Sequence, residues 1–167
     1  YYFCDGCPVG YSAVGGQTLN PYGRRIFETG GSSSGSAVAV AANYAVAALG
    51  SETSGSILSP SSQNAIVGLK PTIGLVSRTG IVPISSTLDT SGPMTKSIVD
   101  NAILLDAIAA PDAQDAITKR VPRIMSLTDS YVEPSLSGVR LGAMTNILAA
   151  DSLYRKAVED LRAAGAE

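Results

Sequence analysis

No histidine and no tryptophan occur anywhere in this chain, and cysteine occurs only twice. Without histidine, a Ser-His-Asp triad cannot be assembled from these residues, and neither can a zinc site of mixed cysteine and histidine ligands. Cys4 and Cys7 form a lone C-x-x-C. A redox or zinc role wants a βαβ context or a second ligand pair, and with Asp5, Gly6 and Pro8 around them these two thiols read as part of a loop. No metal and no cofactor are expected. Charge is sparse too: charged residues make up 16% and the net charge is −2. No basic stripe is present, which argues against nucleic acid as a partner. No apolar run reaches the length of a membrane span. The richest, Ala37–Gly50, is too short and is interrupted by Asn43.

What remains is a chain of 167 residues, 45% of them hydrophobic, with 17 glycines. That is enough apolar material for one domain with a core and too much for a disordered tail. The first residue is Tyr1, and the closing LRAAGAE reads as the last turns of a helix. The expectation is a fragment cut at both ends, with residues 1–167 forming one partial domain. No signal-peptide pattern opens it, and a cytoplasmic location is expected.

Residues 29–70 organise the rest. They hold two clusters of small residues, Gly30-Gly31-Ser32-Ser33-Ser34-Gly35-Ser36 and Ser51-Glu52-Thr53-Ser54-Gly55-Ser56, separated by an Ala/Val stretch. Gly and Ser in such runs let the backbone turn sharply and leave N–H groups free to face a ligand. Many such runs are only turns or linkers. A linker, however, is not interrupted by AVAVAANYAVAALG. The second cluster leads into Ile57, Leu58, Ser59 and Pro60, and proline is tolerated in a first helical turn. It therefore reads as a loop feeding a helix N-terminus. A serine hydroxyl beside unpaired N–H donors is the geometry that acyl transfer needs.

Around this region the pattern predicts alternating elements. Residues 1–28 read as loop, with NPYG as a turn. Ser36–Ala42 reads as a small-residue helix capped by Ser34 or a neighbour. Tyr44–Gly50 reads as a buried parallel strand. A short helix is expected around Ile57–Asn64 and a short apolar segment over Ala65–Leu69. Leu75–Ser77 and Ile81–Val82 read as short β pieces. Residues 96–109 have helical apolar spacing, 111–137 read as a surface excursion, Val139–Met144 as a strand, and Asp151–Ala164 as a helix with Leu153, Val158 and Leu161 on one face. The class is α/β, with a mixed, largely parallel sheet flanked by helices.

With histidine absent, Ser56 as a nucleophile needs another base. A Ser–Lys arrangement is the recognised alternative, with the lysine held neutral by burial. Lys70, Lys96, Lys119 and Lys156 are the lysines on offer, and nothing in their settings selects one.

The blocks GYSAVGGQTLNPYG, GGSSSGSAVAVAAN, LGSETSGSI, GLKPTIGLVSRTGIVPIS and SGPM, in this order, resemble the amidase signature family, closest to its aryl-acylamidase and peptide-amidase members. The resemblance implies that family's core fold and hydrolysis of a carboxamide through a Ser–cis-Ser–Lys triad and an acyl-enzyme. It implies that Ser56 is the nucleophile and Ser32 the bridging serine on a non-proline cis peptide. The amides of Thr53, Ser54, Gly55 and Ser56 would form the oxyanion hole. Gly30, Gly31 and Gln17 would line the amide pocket, and Ser51, standing where the family usually has Thr, would support Ser32. The family's lysine lies several dozen residues upstream of the bridging serine, before Tyr1 here, so the fragment alone is expected to be inactive. Ser54 and Leu58 depart from the family's usual residues. The implied partner is a small amide substrate, and a homodimer is kept open as the assembly. The alternatives are the amidase component of a glutamine-hydrolysing, tRNA-dependent amidotransferase, and a non-catalytic ligand-binding domain that uses the Gly/Ser loops as N–H cradles.

Overall fold

The computed structural model of the chain describes residues 9–121, 126–128 and 135–167. Cys4 and Cys7 lie outside the described residues. The chain divides into two compact units, Tyr1–Asp129 and Ser130–Glu167.

The first unit opens with a small antiparallel hairpin, β1 (Tyr11–Ser12) and β2 (Gly16–Gln17). Helix α1 follows over Ser34–Ala41, close to the expected span. Its sequence, SGSAVAVA, is mostly small, and alanine is the residue most at ease in a helix. The helix stops in a Schellman arrangement: Asn43 takes a left-handed φ of 62°, its N–H donates to the Val40 carbonyl at 3.2 Å, and the Tyr44 N–H donates to the Ala39 carbonyl at 2.8 Å. That turn redirects the chain into β3 (Ala47–Glu52). Helix α2 (Leu58–Gln63), strand β4 (Val67–Gly68) and strand β5 (Thr90–Thr95) come next.

The sheet has the order β3-β5-β4, with β5 buried along its whole length. Both of its pairings are antiparallel: Ala47 faces Thr95 and Glu52 faces Thr90 on one side, and Val67 faces Thr95 on the other. The α/β class holds, but the strand read as parallel over Tyr44–Gly50 is displaced to Ala47–Glu52 and runs antiparallel. An apolar run reports burial and not direction, and here even burial is partial, because Tyr44 and Val46 are exposed. β4 is short for a visible reason. Beyond Met94 its ladder would meet Pro93, which has no N–H to give, although the Pro93 carbonyl still accepts from the Leu69 N–H at 3.1 Å. Gly92 is required here, since a Cβ would run into the Leu69 carbonyl oxygen.

Ala37 from α1, Met94 from β5 and Ile57 just ahead of α2 form one core cluster, with Ile66 packed on it. A second cluster joins Leu75, Val76 and Leu105, the last from α3 (Ile98–Ile108). Helix α3 is capped by Ser97, whose hydroxyl accepts from the Asp100 N–H at 3.1 Å. It turns only a narrow stripe inward: Leu105 and Asn101 are buried, while Ile98 is 68% exposed. Leu75–Ser77 and Ile81–Val82 are not strands. Positive-φ turns at Gly74 and Gly80 break up this stretch, and Leu75 and Val76 go into the core from irregular backbone. The described part of 111–137 includes a 3₁₀ turn at Ala116–Arg120.

In the second unit, Val139–Met144 is not a strand. The Leu141 N–H donates to the Glu167 carbonyl at 2.8 Å and the Val139 carbonyl accepts from the Glu167 N–H at 3.0 Å, while the Val139 N–H turns back to the Leu136 carbonyl at 2.9 Å, and no sheet extends from that pair among the described residues. An unexpected short helix, α4 (Thr145–Ala150), precedes α5 (Ser152–Ala163). Asp151 caps α5 by accepting from the Leu153 and Tyr154 N–H groups. No residue of α5 is buried, and Leu153 is 80% exposed.

Met94 sits at the centre of the first core cluster and is fully enclosed. Met94→Ala is expected to lower stability by about 2–4 kcal/mol through lost burial and the cavity left behind, as measured by urea denaturation. A change below about 1 kcal/mol would show that this cluster is not what holds the sheet to α1.

Candidate active site

The two Gly/Ser clusters are brought together by α1 and β3. Ser33, at the N-cap of α1, does not use its hydroxyl on its own helix. The Ser33 hydroxyl instead donates to the Ser51 carbonyl at 3.2 Å and accepts from the Ser51 N–H at 3.1 Å. The Ser33 N–H donates to the Ser56 carbonyl at 3.1 Å. The residue after Ser32 is thus bonded to the backbone of Ser56 itself. Ahead of it, the peptide bond between Gly31 and Ser32 is cis.

The loop on the other side of Ser32 is pinned as well. Gly30 has φ +63°, and a Cβ there would lie 2.7 Å from the Pro60 backbone, so only glycine fits against the first turn of α2. The buried Asn64 side chain donates to the Thr29 carbonyl at 2.8 Å, and Asn20 bridges the Glu28 and Gln63 carbonyls at 2.9 and 2.8 Å. Residues 28–33 are therefore fastened to α2 and to the end of β3 by polar contacts along their length.

Ser32, Ser51, Glu52, Thr53, Ser56, Ile81, Val82, Ile84 and Asp89 line one small cavity, which offers about 20 Å³ to the centre of a water-sized sphere. That is room for a water molecule. Ser56 is 7% exposed. Neither its hydroxyl nor that of Ser32 makes a hydrogen bond within the described residues, and the N–H groups of Thr53, Ser54, Gly55 and Ser56 donate to no protein acceptor there. Four consecutive amides without acceptors, beside an unengaged hydroxyl, form an electropositive nest suited to an oxyanion. Of the residues singled out from the sequence, Ser32, Ser51, Thr53 and Ser56 line this cavity, while Ser54 and Gly55 complete the loop between its walls. Gly30 and Gly31 do not line it: Gly30 packs against the Pro60 backbone, and Gly31 precedes the cis bond to Ser32. Gln17 stands apart: it lines a different hollow with Tyr11, Ile26 and Phe27, and its side-chain nitrogen donates to the Val9 and Thr18 carbonyls. Nothing here brings it to Ser56.

Two carboxylates at the cavity are given no role by the sequence reading. Glu52, four residues ahead of Ser56, is buried, and one of its oxygens accepts from the Ile57 and Leu58 N–H groups at 2.7 and 2.9 Å. Asp89 accepts from the Thr53 hydroxyl at 2.5 Å on one oxygen, and from the Ile84 and Ser85 N–H groups at 2.8 and 2.9 Å on the other. Burial pushes the Asp89 pKa up. These hydrogen bonds and the positive charge of Arg78 outweigh it, and the carboxyl is held below its ordinary range. Arg78 itself makes a two-point pair with Asp115, at 2.7 and 2.9 Å, and reaches the Ser86 carbonyl at 2.7 Å. None of the lysines lines the cavity. The Lys96 ammonium donates to Asn43 at 2.6 Å, and Lys156 pairs with Asp160.

Against known proteins, the family model named Amidase matches residues 7–167. The chain is 43% identical over 162 residues to a probable amidase of Arabidopsis thaliana, covering 95% of this chain and 31% of that protein. It is 47% identical over 141 residues to a component of the glutamyl-tRNA(Gln) amidotransferase of Synechococcus elongatus, covering 83% and 29% respectively. The structure superposes on native peptide amidase from Stenotrophomonas maltophilia with a TM-score of 0.90 and 48% identity, over 97% of this chain and 34% of that one. The chain thus spans about a third of the length of the relatives it matches.

The Arg78–Asp115 pair anchors the start of the loop that carries Ile81, Val82 and Ile84. The hydrogen bond from Arg78 is the main reason that Asp115 has its pKa lowered to about 2, from an ordinary 3.8. A carboxyl with a depressed folded-state pKa contributes stability above its unfolded pKa, and that contribution is lost as pH falls through the folded value. The stability gap between wild type and Asp115→Asn is expected to be full at about pH 6 and to close between about pH 4 and pH 2. Denaturant midpoints across that range measure it. A gap that does not change with pH would show that the charge of Asp115 is immaterial.

Proposed function

The chain belongs to the amidase family, and from that premise we propose that it carries the acyl-transfer centre of an amide hydrolase. The observation that carries this reading is the meeting of Ser32, Thr53 and Ser56 at one cavity, on a turn whose four amides, 53–56, donate to no protein acceptor among the described residues. The Ser56 oxygen attacks the carboxamide carbon, and its proton passes by way of the Ser32 hydroxyl to a base. The carbonyl oxygen becomes an oxyanion facing the amides, where a single donor is worth about 2.7–4 kcal/mol of the barrier. Collapse breaks the C–N bond, the amine leaves with the proton, and water then cleaves the Ser56 ester.

Two carboxylates lie nearby, and their hydrogen bonds hold the loops around the site: one Glu52 oxygen accepts from the Ile57 and Leu58 amides, and both oxygens of Asp89 accept from Thr53, Ile84 and Ser85. A neutral lysine from outside the lining residues is the base that fits the family's chemistry. We expect the 167 residues on their own to give no turnover.

A second reading, a glutamine-hydrolysing protein that works within an amidotransferase complex, is favoured by the likeness to a component of that enzyme. It uses the same Ser56 chemistry and differs in substrate and partners. Glutaminase activity that appears only when the other components are added would select it. A binding-only domain would leave Ser56 unreactive.

A fluorophosphonate probe tests the nucleophile on the full-length protein. Wild type is expected to be labelled at Ser56, and Ser56→Ala to lose both labelling and hydrolysis of simple carboxamides. Ser32→Ala is expected to cost roughly 10²–10⁴-fold in kcat, the range for a lost proton-transfer group. Labelling that survives Ser56→Ala at an unchanged rate would end this reading.

A further inference from the structure

Asp89 is 8% exposed, sits one residue ahead of β5, and lines the same cavity as the candidate nucleophile. Its bonds run in two directions. One oxygen holds the Thr53 hydroxyl, and Thr53 opens the run of amides that ends at Ser56. The other oxygen holds the N–H groups of Ile84 and Ser85, which close the loop forming the apolar wall of the same cavity. Among the described residues, no other side chain bonds both walls. We propose that Asp89 is a positioning residue for acyl transfer: it fastens the Ile81–Ser85 loop to Thr53 and so keeps the amide nest aimed at the oxyanion.

The proposal rests on the reading of Ser56 as an acyl-transfer nucleophile and adds a residue to it. Asp89 does not touch the reacting atoms. It acts through the Thr53 side chain, while the Thr53 backbone N–H belongs to the nest. Glu52 gives no support at this end, because it spends its hydrogen bonds on Ile57 and Leu58. An oxyanion is bound well only while its donors are aimed before the charge develops, and misplacement by about 1 Å can cost around 10²-fold. The effect should therefore fall on the chemical step more than on substrate binding.

The test uses the full-length protein, with a panel of simple primary carboxamides for turnover and a fluorophosphonate for Ser56 reactivity. Asp89→Asn and Thr53→Val are each expected to lower kcat by roughly 10–100-fold, with KM changed by less than about threefold and Ser56 still labelled. Thr53→Ser, which keeps the hydroxyl, is expected to recover most of the loss seen with Thr53→Val. The double variant should be no worse than the more severe single variant, because both remove one linkage. Wild-type kcat in Asp89→Asn, or additive losses in the double variant, overturns the assignment of Asp89 alone. If Asp89→Asn fails to fold, the Thr53→Val and Thr53→Ser pair still decides: equal kcat in the two overturns it. A wild-type protein that neither labels at Ser56 nor turns over any amide overturns the underlying reading, and this assignment with it.

Discussion

A single serine at the start of α1 joins the two halves of the site. Ser33 donates its N–H to the Ser56 carbonyl, and its hydroxyl both gives to and takes from the backbone of Ser51. The common use of serine at an N-cap is to bond its own helix. Here that bond is given up, and the hydroxyl closes a link between α1 and the end of β3. Three hydrogen bonds on one small residue fix how the Gly30–Ser33 loop meets the Ser51–Ser56 loop. Each such bond contributes only about 1 kcal/mol net. Their value lies in geometry, because they remove the freedom of two glycine-containing segments that would otherwise sample many conformations.

The rest of the first unit supports that link. Met94, Ile57 and Ala37 pack beneath it, so β5, the chain entering α2 and α1 share one apolar floor. Asn20 and Asn64 carry the Gly30 side of the loop to the far end of α2. The link leaves the hydroxyls of Ser32 and Ser56 without protein partners among the described residues, because the structural bonds fall to Ser33 and to the Ser51 backbone. Adjacent residues thus divide the work between holding the backbone and facing the cavity.

The part of this that can be read from the sequence is the part carried by unusual local composition. Two Gly/Ser clusters flanking an Ala/Val stretch single out Ser32 and Ser56 as candidates, and α1, α2, α3 and α5 follow from apolar spacing and caps. Strand direction cannot be read, since an apolar run such as YAVAALG is the same whether its neighbour is parallel or antiparallel. Nor can the fate of VRLGAM, whose backbone finds Glu167, Leu136 and the Tyr154 hydroxyl but no neighbouring strand among the described residues. Asp89 is hidden for a related reason. SSTLDTS is a polar stretch with nothing in it to mark a buried residue, and Asp89 is buried because β5 begins one residue later, beside β3, which delivers Thr53. A partner that arrives from across the sheet leaves no mark in the local pattern. Glu52 is plain to see within its cluster, but its bond to the Ile57 and Leu58 amides depends on the turn at Ser54–Gly55, where Gly55 has φ +92°.

Placing two carboxylates beside a site that must receive negative charge looks self-defeating, since a like charge within a few ångströms opposes an oxyanion. The hydrogen bonding resolves the conflict. Glu52 takes the amides of Ile57 and Leu58, the two that follow the nest. Asp89 takes the side-chain hydroxyl of Thr53 but not its amide. Each carboxylate is thus turned onto donors that border residues 53–56 and leaves those four N–H groups unclaimed. Arg78, paired with Asp115 and lying near enough to lower the Asp89 pKa, offsets part of the remaining charge. The acids at this site do not compete with the oxyanion for its donors. They fix the edges of the turn that presents those donors.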